Sequence, residues 1–241
     1  MLYTLDIVRP MDGTLPLVIT IDGPAGAGKS TLGELLAKQL GYMYFDTGVM
    51  YRALTLAAIE QQADADDEAG LAQLARDTSI AVAPANVADG RQYTVHVNAK
   101  DRTWDLRNSA VEQHVSAISR HPQVRAVMRE RQREIGQAGR VVMVGRDIGS
   151  VVMPDAPLKI YLEASIDERA RRRTAELQAR GHDADLAAIR AEVARRDALD
   201  RHVMVAAPDA FVIDCDALSP EDEIELITAH LQQRGASARR S

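Results

Sequence analysis

The sequence predicts an α/β fold in which a five-stranded parallel sheet is flanked by helices. Short apolar runs alternate with stretches of helical spacing, and the first run leads through a glycine-rich segment directly into a helix. Almost a hundred residues separate the second run from the third, which is too many for a crossover helix and predicts an inserted subdomain. The five predicted strands are 17–21, 43–45, 141–144, 158–162 and 210–213.

The segment after the first strand has the pattern G-x-x-x-x-G-K-[ST] of a phosphate-binding loop. Its glycines allow successive backbone N–H groups to surround an anion, and the helix that follows adds the positive end of its dipole. The lysine is placed to neutralise the outer phosphates, and the serine hydroxyl to hold Mg²⁺. The pattern and its context therefore predict that the chain binds a nucleoside triphosphate. The loop residues are Gly23, Pro24, Ala25, Gly26, Ala27, Gly28, Lys29, Ser30 and Thr31.

The insert, about 47–139, has its own alternation of elements. Its periodicity predicts helices over 51–62, 66–77, 111–119 and 122–136, the last two being separated at a His-Pro step. Between them the spacing predicts a small antiparallel sheet with strands 80–83, 93–97 and 103–106.

An arginine-rich region, about 166–201, lies between the last two strands of the large sheet. It predicts two helices, 166–180 and 185–199, with a break at Gly181 and His182. Phosphoryl transfer spreads negative charge over the moving group, so such a region can close over a triphosphate and exclude water. We therefore predict one domain over 16–235, made of a core (16–46, 140–165 and 202–235), the insert and this lid. The tails, 1–15 and 236–241, are expected to be mobile.

Composition narrows the function classes further. The 241 residues carry a net charge of −6, which disfavours a polynucleotide partner, and no apolar run is long enough to span a membrane. The single cysteine, Cys215, excludes an internal disulfide, and the six histidines lack metal-ligand spacing. We expect a cytoplasmic monomer without a secretory signal, whose partners are small-molecule nucleotides.

Further motifs separate the classes of phosphate-loop protein. The chain has neither the N-K-x-D pattern of GTPases nor the apolar run ending in Asp-Glu of motor ATPases, which leaves the small-molecule kinases. Thr47 and Arg52 flank a glycine turn at the end of the second strand, where α/β folds bind ligands, and they suit an acceptor phosphate. Asp147 follows the third strand, where a carboxylate could bind a nucleobase amino group or metal-bound water.

Taken together, the motifs resemble those of the bacterial cytidylate kinases, which have the nucleoside monophosphate kinase fold. The resemblance covers about 16–233. Its specific segments are 19–31, 46–52, 122–125, 145–155, 168–173 and 196–200. It implies the transfer of a phosphoryl group from ATP to CMP or dCMP, with Mg²⁺, and it implies that the insert is an enlarged subdomain that binds the nucleoside monophosphate.

The resemblance also implies roles for individual residues. Arg169 and Arg172 would join the phosphate loop in binding ATP, and Ser30 would bind the metal. The implied CMP-binding residues are Thr47, Tyr51, Arg52, Ser116, Arg125, Asp147, Arg196 and Asp200. Within that set, Arg52 and Arg125 would take the acceptor phosphate, Ser116 and Asp147 the cytosine edge, and Arg196 and Asp200 the phosphate and sugar. The implied catalytic residues are Lys29, Arg52, Arg125, Arg173 and Arg196.

The chain departs from the family pattern at two positions. Val203 stands where the family usually has an arginine, and Val144 where it often has an acidic or polar residue. An arginine at 203 would strengthen acceptor binding, unless Val203 is an apolar anchor that packs the lid against the core. Two alternatives remain open: a related kinase for UMP or a small alcohol, and a non-catalytic nucleotide-binding regulator.

Overall fold

The computed structural model describes residues 17–179, 181, 183–201 and 203–238 of the chain. The predicted N-terminal tail, 1–15, lies outside the described residues, and so do the last three residues, 239–241, of the predicted C-terminal tail. His182 of the predicted break also lies outside them. The strands, in chain order, are β1 (Val18–Asp22), β2 (Met43–Asp46), β3 (Ile80–Pro84), β4 (Tyr93–Val97), β5 (Lys100–Asp101), β6 (Val141–Val144), β7 (Leu158–Glu163) and β8 (Phe211–Asp214). The helices are α1 (Lys29–Leu40), α2 (Gly48–Glu60), α3 (Glu68–Asp77), α4 (Ser109–Ser119), α5 (Pro122–Gln137), α6 (Ile166–Ala179), α7 (Leu186–Asp200) and α8 (Pro220–Ala238).

The large sheet contains the five predicted strands, all parallel, in the order β2-β6-β1-β7-β8. Every residue of β1 and β6 is buried, as expected for parallel strands covered by helices on both faces. Because the strands are parallel, their carboxyl ends share one edge. That edge therefore brings together Asp22, Asp46 and the segment that follows Val144, although these lie far apart in sequence.

The small sheet is antiparallel, with strand order β3-β4-β5, and one predicted strand in it is wrong. The segment 103–106, expected as its third strand, forms a turn and the start of a single 3₁₀ turn, Asp105–Arg107; β5 takes its place earlier in the chain. Asn98 and Ala99 both have positive φ, 50° and 65°, so the chain reverses immediately after β4. The strand then ends at Asp101, whose carboxylate accepts hydrogen bonds from the Thr103 N–H (3.0 Å) and hydroxyl (2.7 Å).

Local capping sets the limits of several helices. Asp67 and Asn108 cap α3 and α4 by accepting from Gly70 N (3.0 Å) and Val111 N (2.8 Å). Pro122 occupies the first turn of α5, as the sequence predicts. α8 continues to Ala238, so 236–238 extend a helix and do not form the predicted tail. None of the helices in the described ranges is both long and apolar enough to cross a bilayer.

Candidate active site

The phosphate loop connects β1 to α1 at the carboxyl edge of the sheet. Gly23 has φ 143°, and a Cβ there would lie 2.3 Å from the backbone oxygen of Leu162 on β7, so no side chain fits. Gly28 has φ 96° immediately before the first turn of α1. These two glycines allow the loop to pass against the sheet and then turn into the helix, which leaves its N-terminus facing the loop.

Lys29 and Ser30 begin α1 at this loop. The ammonium of Lys29 donates to the carbonyl oxygen of Pro24 at 2.6 Å, so the side chain reaches back across the loop. Burial, and then the charge of Arg146, lower the pKa of Lys29 to about 7. A bound polyphosphate would supply the opposite charge and favour the ammonium form. The side chains of Ser30 and Thr31 are exposed beside it.

Asp22, which the sequence reasoning did not select, lies at the end of β1 and is only 4% exposed. Its two carboxylate oxygens accept from the backbone N–H groups of Ile148 (2.8 Å) and Gly149 (2.7 Å). Burial outweighs these two hydrogen bonds and raises the pKa of Asp22 to about 6. Its position directly before the phosphate loop was the one signal in the sequence that could have identified it.

Asp147 lies in the segment after β6 and is almost fully buried. Its Oδ2 accepts from Arg125 (2.6 Å) and from Arg129 (3.1 Å), both on α5. The Arg125 guanidinium also lies over the ring of Tyr51, 5.7 Å from its centroid. The structure therefore brings three predicted acceptor residues together and adds Arg129, which sequence reasoning missed.

Arg52, Arg125, Arg146 and Arg196 lie near enough for their charges to affect one another. Burial and then the charge of Arg196 lower the pKa of Arg146 to about 10, with a further contribution from Arg125. Burial and then the charge of Arg52 lower the pKa of Arg196. Cations that disfavour one another's charge in this way would be stabilised by a bound anion. Arg146 was quoted with Asp147 in the sequence but not assigned a role; it forms an ion pair with Asp200.

The other predicted acceptor residues differ in their accessibility. Thr47 is buried, and its hydroxyl donates to the carbonyl oxygen of Val144 at 2.9 Å, which connects the ends of β2 and β6. Arg52 is partly exposed, with Nη1 3.5 Å from a carboxylate oxygen of Glu112 on α4. Ser116, one turn further along α4, is exposed, and its hydroxyl makes no hydrogen bond within the described residues. Within the described residues, no hydrogen bond joins Ser116 to Asp147, and its predicted place at the cytosine edge stays a prediction.

The lid arginines make three different kinds of contact. Arg169 is 3% exposed and donates to the carbonyl oxygen of Ala25 (3.1 Å) and to Asp197 on α7 (2.9 Å), so it links the phosphate loop to both lid helices. Arg172 donates to Glu168 (2.7 Å) and to the carbonyl oxygen of Cys215. Arg173 lies at the surface and pairs with Glu176. The guanidinium groups of Arg169 and Arg172 are both bound to protein groups, and Arg172 also borders open space.

That open space is a cavity of about 460 Å³ between the phosphate loop, α6 and the start of α8. Gly28, Thr31, Arg172, Leu218 and Glu223 are among its lining residues. Cys215, whose carbonyl oxygen Arg172 contacts, is a fully buried core residue, and burial raises the pKa of its thiol. The cavity is large enough for a planar heterocycle and opens beside the phosphate loop.

Val203 follows α7 and is 8% exposed. Its N–H donates to the carbonyl oxygen of Asp200 at 2.9 Å, in the turn that ends the lid. This burial favours an apolar packing role over a ligand-facing one, although Val203 lies outside the contiguous hydrophobic core around the large sheet. An arginine side chain could not occupy the same space without displacing its neighbours.

Comparison with known proteins shows which family the chain resembles. A family model described as cytidylate kinase matches residues 19–233. Cytidylate kinase from Roseiflexus castenholzii is 63% identical over 220 residues, which covers 91% of this chain and 95% of the relative. The cytidylate kinase of Chloroflexus aggregans is 58% identical, with 88% and 93% covered. That of Symbiobacterium thermophilum is 46% identical, with 92% and 99% covered. The match extends from β1 to α8 and includes the loop, the insert and the lid, and the chain belongs to the cytidylate kinase family.

Proposed function

We propose that this chain transfers the γ-phosphoryl group of ATP to CMP or dCMP, giving ADP and CDP or dCDP. One observation carries the proposal. Arg125 and Arg129 hold the buried carboxylate of Asp147, and the neighbouring Arg146 lies close enough to Lys29 of the phosphate loop for its charge to lower the pKa of that lysine. A site for two phosphate-bearing ligands, one of which also carries an amino group, has this arrangement.

ATP is the donor in this proposal. Its phosphates lie along the loop backbone and the first turn of α1, and Lys29 neutralises the outer ones. Its base enters the cavity of about 460 Å³, beside Arg172. Arg169 holds the loop against the lid, and its contribution to ATP binding is through the shape of the loop.

CMP is the acceptor. Arg52, Arg125 and Arg196 bind its phosphate, because guanidinium groups match a phosphate in both charge and geometry. Asp147 accepts a hydrogen bond from the amino group of cytosine. Uracil carries a carbonyl oxygen at that position, which a carboxylate repels. Thr47, Tyr51, Ser116 and Asp200 surround the remaining parts of the nucleotide.

The reaction needs no covalent enzyme intermediate. A phosphate oxygen of CMP attacks the γ-phosphorus while the bond from that phosphorus to the bridging oxygen of ADP breaks, and the charge develops on the oxygens of the transferred group. Lys29 and the arginines, including Arg173 when the lid closes, stabilise that charge. The lid excludes water, which would otherwise accept the phosphoryl group.

Magnesium fits the donor set of this site. Ser30 places an exposed hydroxyl at the loop, and Mg²⁺ characteristically takes one or two protein oxygens together with phosphates and waters. Among the described residues, no three acidic, histidine or cysteine side chains are grouped so that they could hold a metal ion by themselves. When bound, the ion supplies further charge neutralisation of the phosphates.

A coupled assay of ADP release tests the function. Purified protein is given ATP and Mg²⁺ with CMP, dCMP, UMP, AMP or small alcohols such as shikimate. We expect the largest kcat/KM with CMP or dCMP. Turnover of UMP or an alcohol in preference to CMP would support the alternative kinase, and ATP binding without turnover of any acceptor would support the regulator.

A further inference from the structure

Asp147 stands where an aspartate ordinarily caps a helix. It precedes a short helical turn, Ile148–Val152, and its carbonyl oxygen accepts from the N–H groups of Val151 (2.9 Å) and Val152 (3.2 Å). A capping carboxylate would accept from the first free N–H groups of that turn. Here the carboxylate of Asp22 takes the N–H groups of Ile148 and Gly149 instead, and the Asp147 side chain makes no capping hydrogen bond.

The Asp147 carboxylate is consequently oriented from another element. Arg125 and Arg129 lie four residues apart on one face of α5, and both donate to the same atom, Oδ2. The second oxygen, Oδ1, accepts no hydrogen bond from the described residues. The Nε atoms of both arginines are buried and also lack a protein partner. Two guanidinium groups thus hold one carboxylate oxygen and leave the other for a ligand.

The two arginines have different tasks when an acceptor nucleotide binds. Arg125, with 14% of its side chain exposed, must serve the acceptor phosphate in the proposed function, and this weakens its hold on Asp147. Arg129 has no phosphate assigned to it and can keep its contact. We propose that Arg129 is a positioning residue, which holds Asp147 so that Oδ1 meets the amino group of a cytosine while Arg125 binds phosphate.

This inference rests on the proposed function, and it makes a distinct prediction for base selectivity. If Asp147 is released, the contact with the cytosine amino group is lost, whereas UMP, which lacks that donor, loses little. We therefore expect Arg129→Gln to lower the CMP to UMP ratio of kcat/KM about tenfold, the size of one charge-assisted hydrogen bond. The change should lie in KM for CMP, with KM for ATP unchanged.

The experiment compares wild type, Arg129→Gln, Arg129→Lys and a matched control, Arg120→Gln. Arg120 is an exposed arginine that pairs with Asp66 away from the site. Lysine can still donate to Oδ2, so Arg129→Lys should restore the ratio to within about threefold of wild type. The control should match wild type. Binding of CMP and UMP by calorimetry and a melting curve are measured for each protein.

The outcomes are distinguishable. A wild type that prefers CMP together with an unchanged ratio in Arg129→Gln overturns the inference and leaves the function standing. Equal losses for CMP and UMP with a lowered melting temperature overturn it too, because they indicate a structural role alone. If Arg129→Gln does not fold, Arg129→Met, which keeps most of the apolar side chain and lacks the donors, takes its place: a lowered CMP to UMP ratio with KM for ATP unchanged supports the inference, and an unchanged ratio in the folded protein overturns it. A wild type without activity on CMP overturns both.

Discussion

The Asp22 carboxylate should make the protein less stable as the pH rises, which is opposite to the effect of most carboxylates, and Asp22→Asn should remove this pH dependence. The Asp22 side chain is 4% exposed, and burial raises its pKa from 3.8 to about 6 although two backbone N–H groups bind it. The folded protein therefore holds a proton on Asp22 more readily than the unfolded chain does. Its contribution is present in full below about pH 4 and is lost as the pH rises to about 6.

The magnitude follows from that pKa. A rise from 3.8 to about 6 corresponds to about 3 kcal/mol of stability lost at neutral pH. About 2 kcal/mol of this change falls between pH 4.5 and 7.5. Asparagine has the same shape and no charge, so the variant lacks this dependence. It places an NH₂ group against one backbone N–H, which costs about 1–3 kcal/mol at every pH.

Urea denaturation from pH 4.5 to 7.5, followed by circular dichroism, measures the effect. The free energy of unfolding of wild type minus that of Asp22→Asn should fall by about 2 kcal/mol over the range. Asp209→Asn is the control, because the hydrogen bond from Lys159 lowers the pKa of Asp209 and moves its titration below the range. A wild-type minus Asp22→Asn difference that stays constant within about 0.5 kcal/mol would refute the reasoning.

Three further predictions concern the site itself. Lys29→Ala should lower kcat about a thousandfold or more in a folded protein, and activity within about tenfold of wild type would contradict the assignment. Because the pKa of Lys29 is lowered to about 7, ATP binding at pH 7 should also take up about half a proton, measured by calorimetry in two buffers and absent in the variant. Asp147→Ala should lower the CMP to UMP ratio of kcat/KM about tenfold, and an unchanged ratio would show that this carboxylate does not contact the base. Val203→Arg should destabilise the fold by about 2 kcal/mol or more and worsen both KM values; a lower KM for CMP would show that the position remains open to an acceptor-binding arginine.

Periodicity and the glycine pattern were sufficient to predict the architecture. The five parallel strands, the insert and the two lid helices were all predicted, because apolar runs and helical spacing depend on residues that are near in sequence. The one wrong strand, 103–106, depended on two residues that adopt positive φ without being glycine. A turn at Asn98 was expected, since asparagine adopts positive φ more readily than most residues, but Ala99 gave no sign that the chain reverses within two residues and pairs at once as β5.

The same distinction between local sequence patterns and tertiary packing applies to the site. The sequence by itself predicted the phosphate loop and a ligand-binding role for Asp147, because each lies in a local motif. Only the tertiary structure decided what surrounds them. Asp22, Arg129 and Arg146 come to this region from β1, α5 and the end of β6, and only their burial and the charges brought close by the strand order single them out. Val203 is a second example. The sequence showed that an apolar residue replaces the arginine usual in the family, but only the packing of the lid decided that the side chain is buried, and packing cannot be inferred from a local pattern.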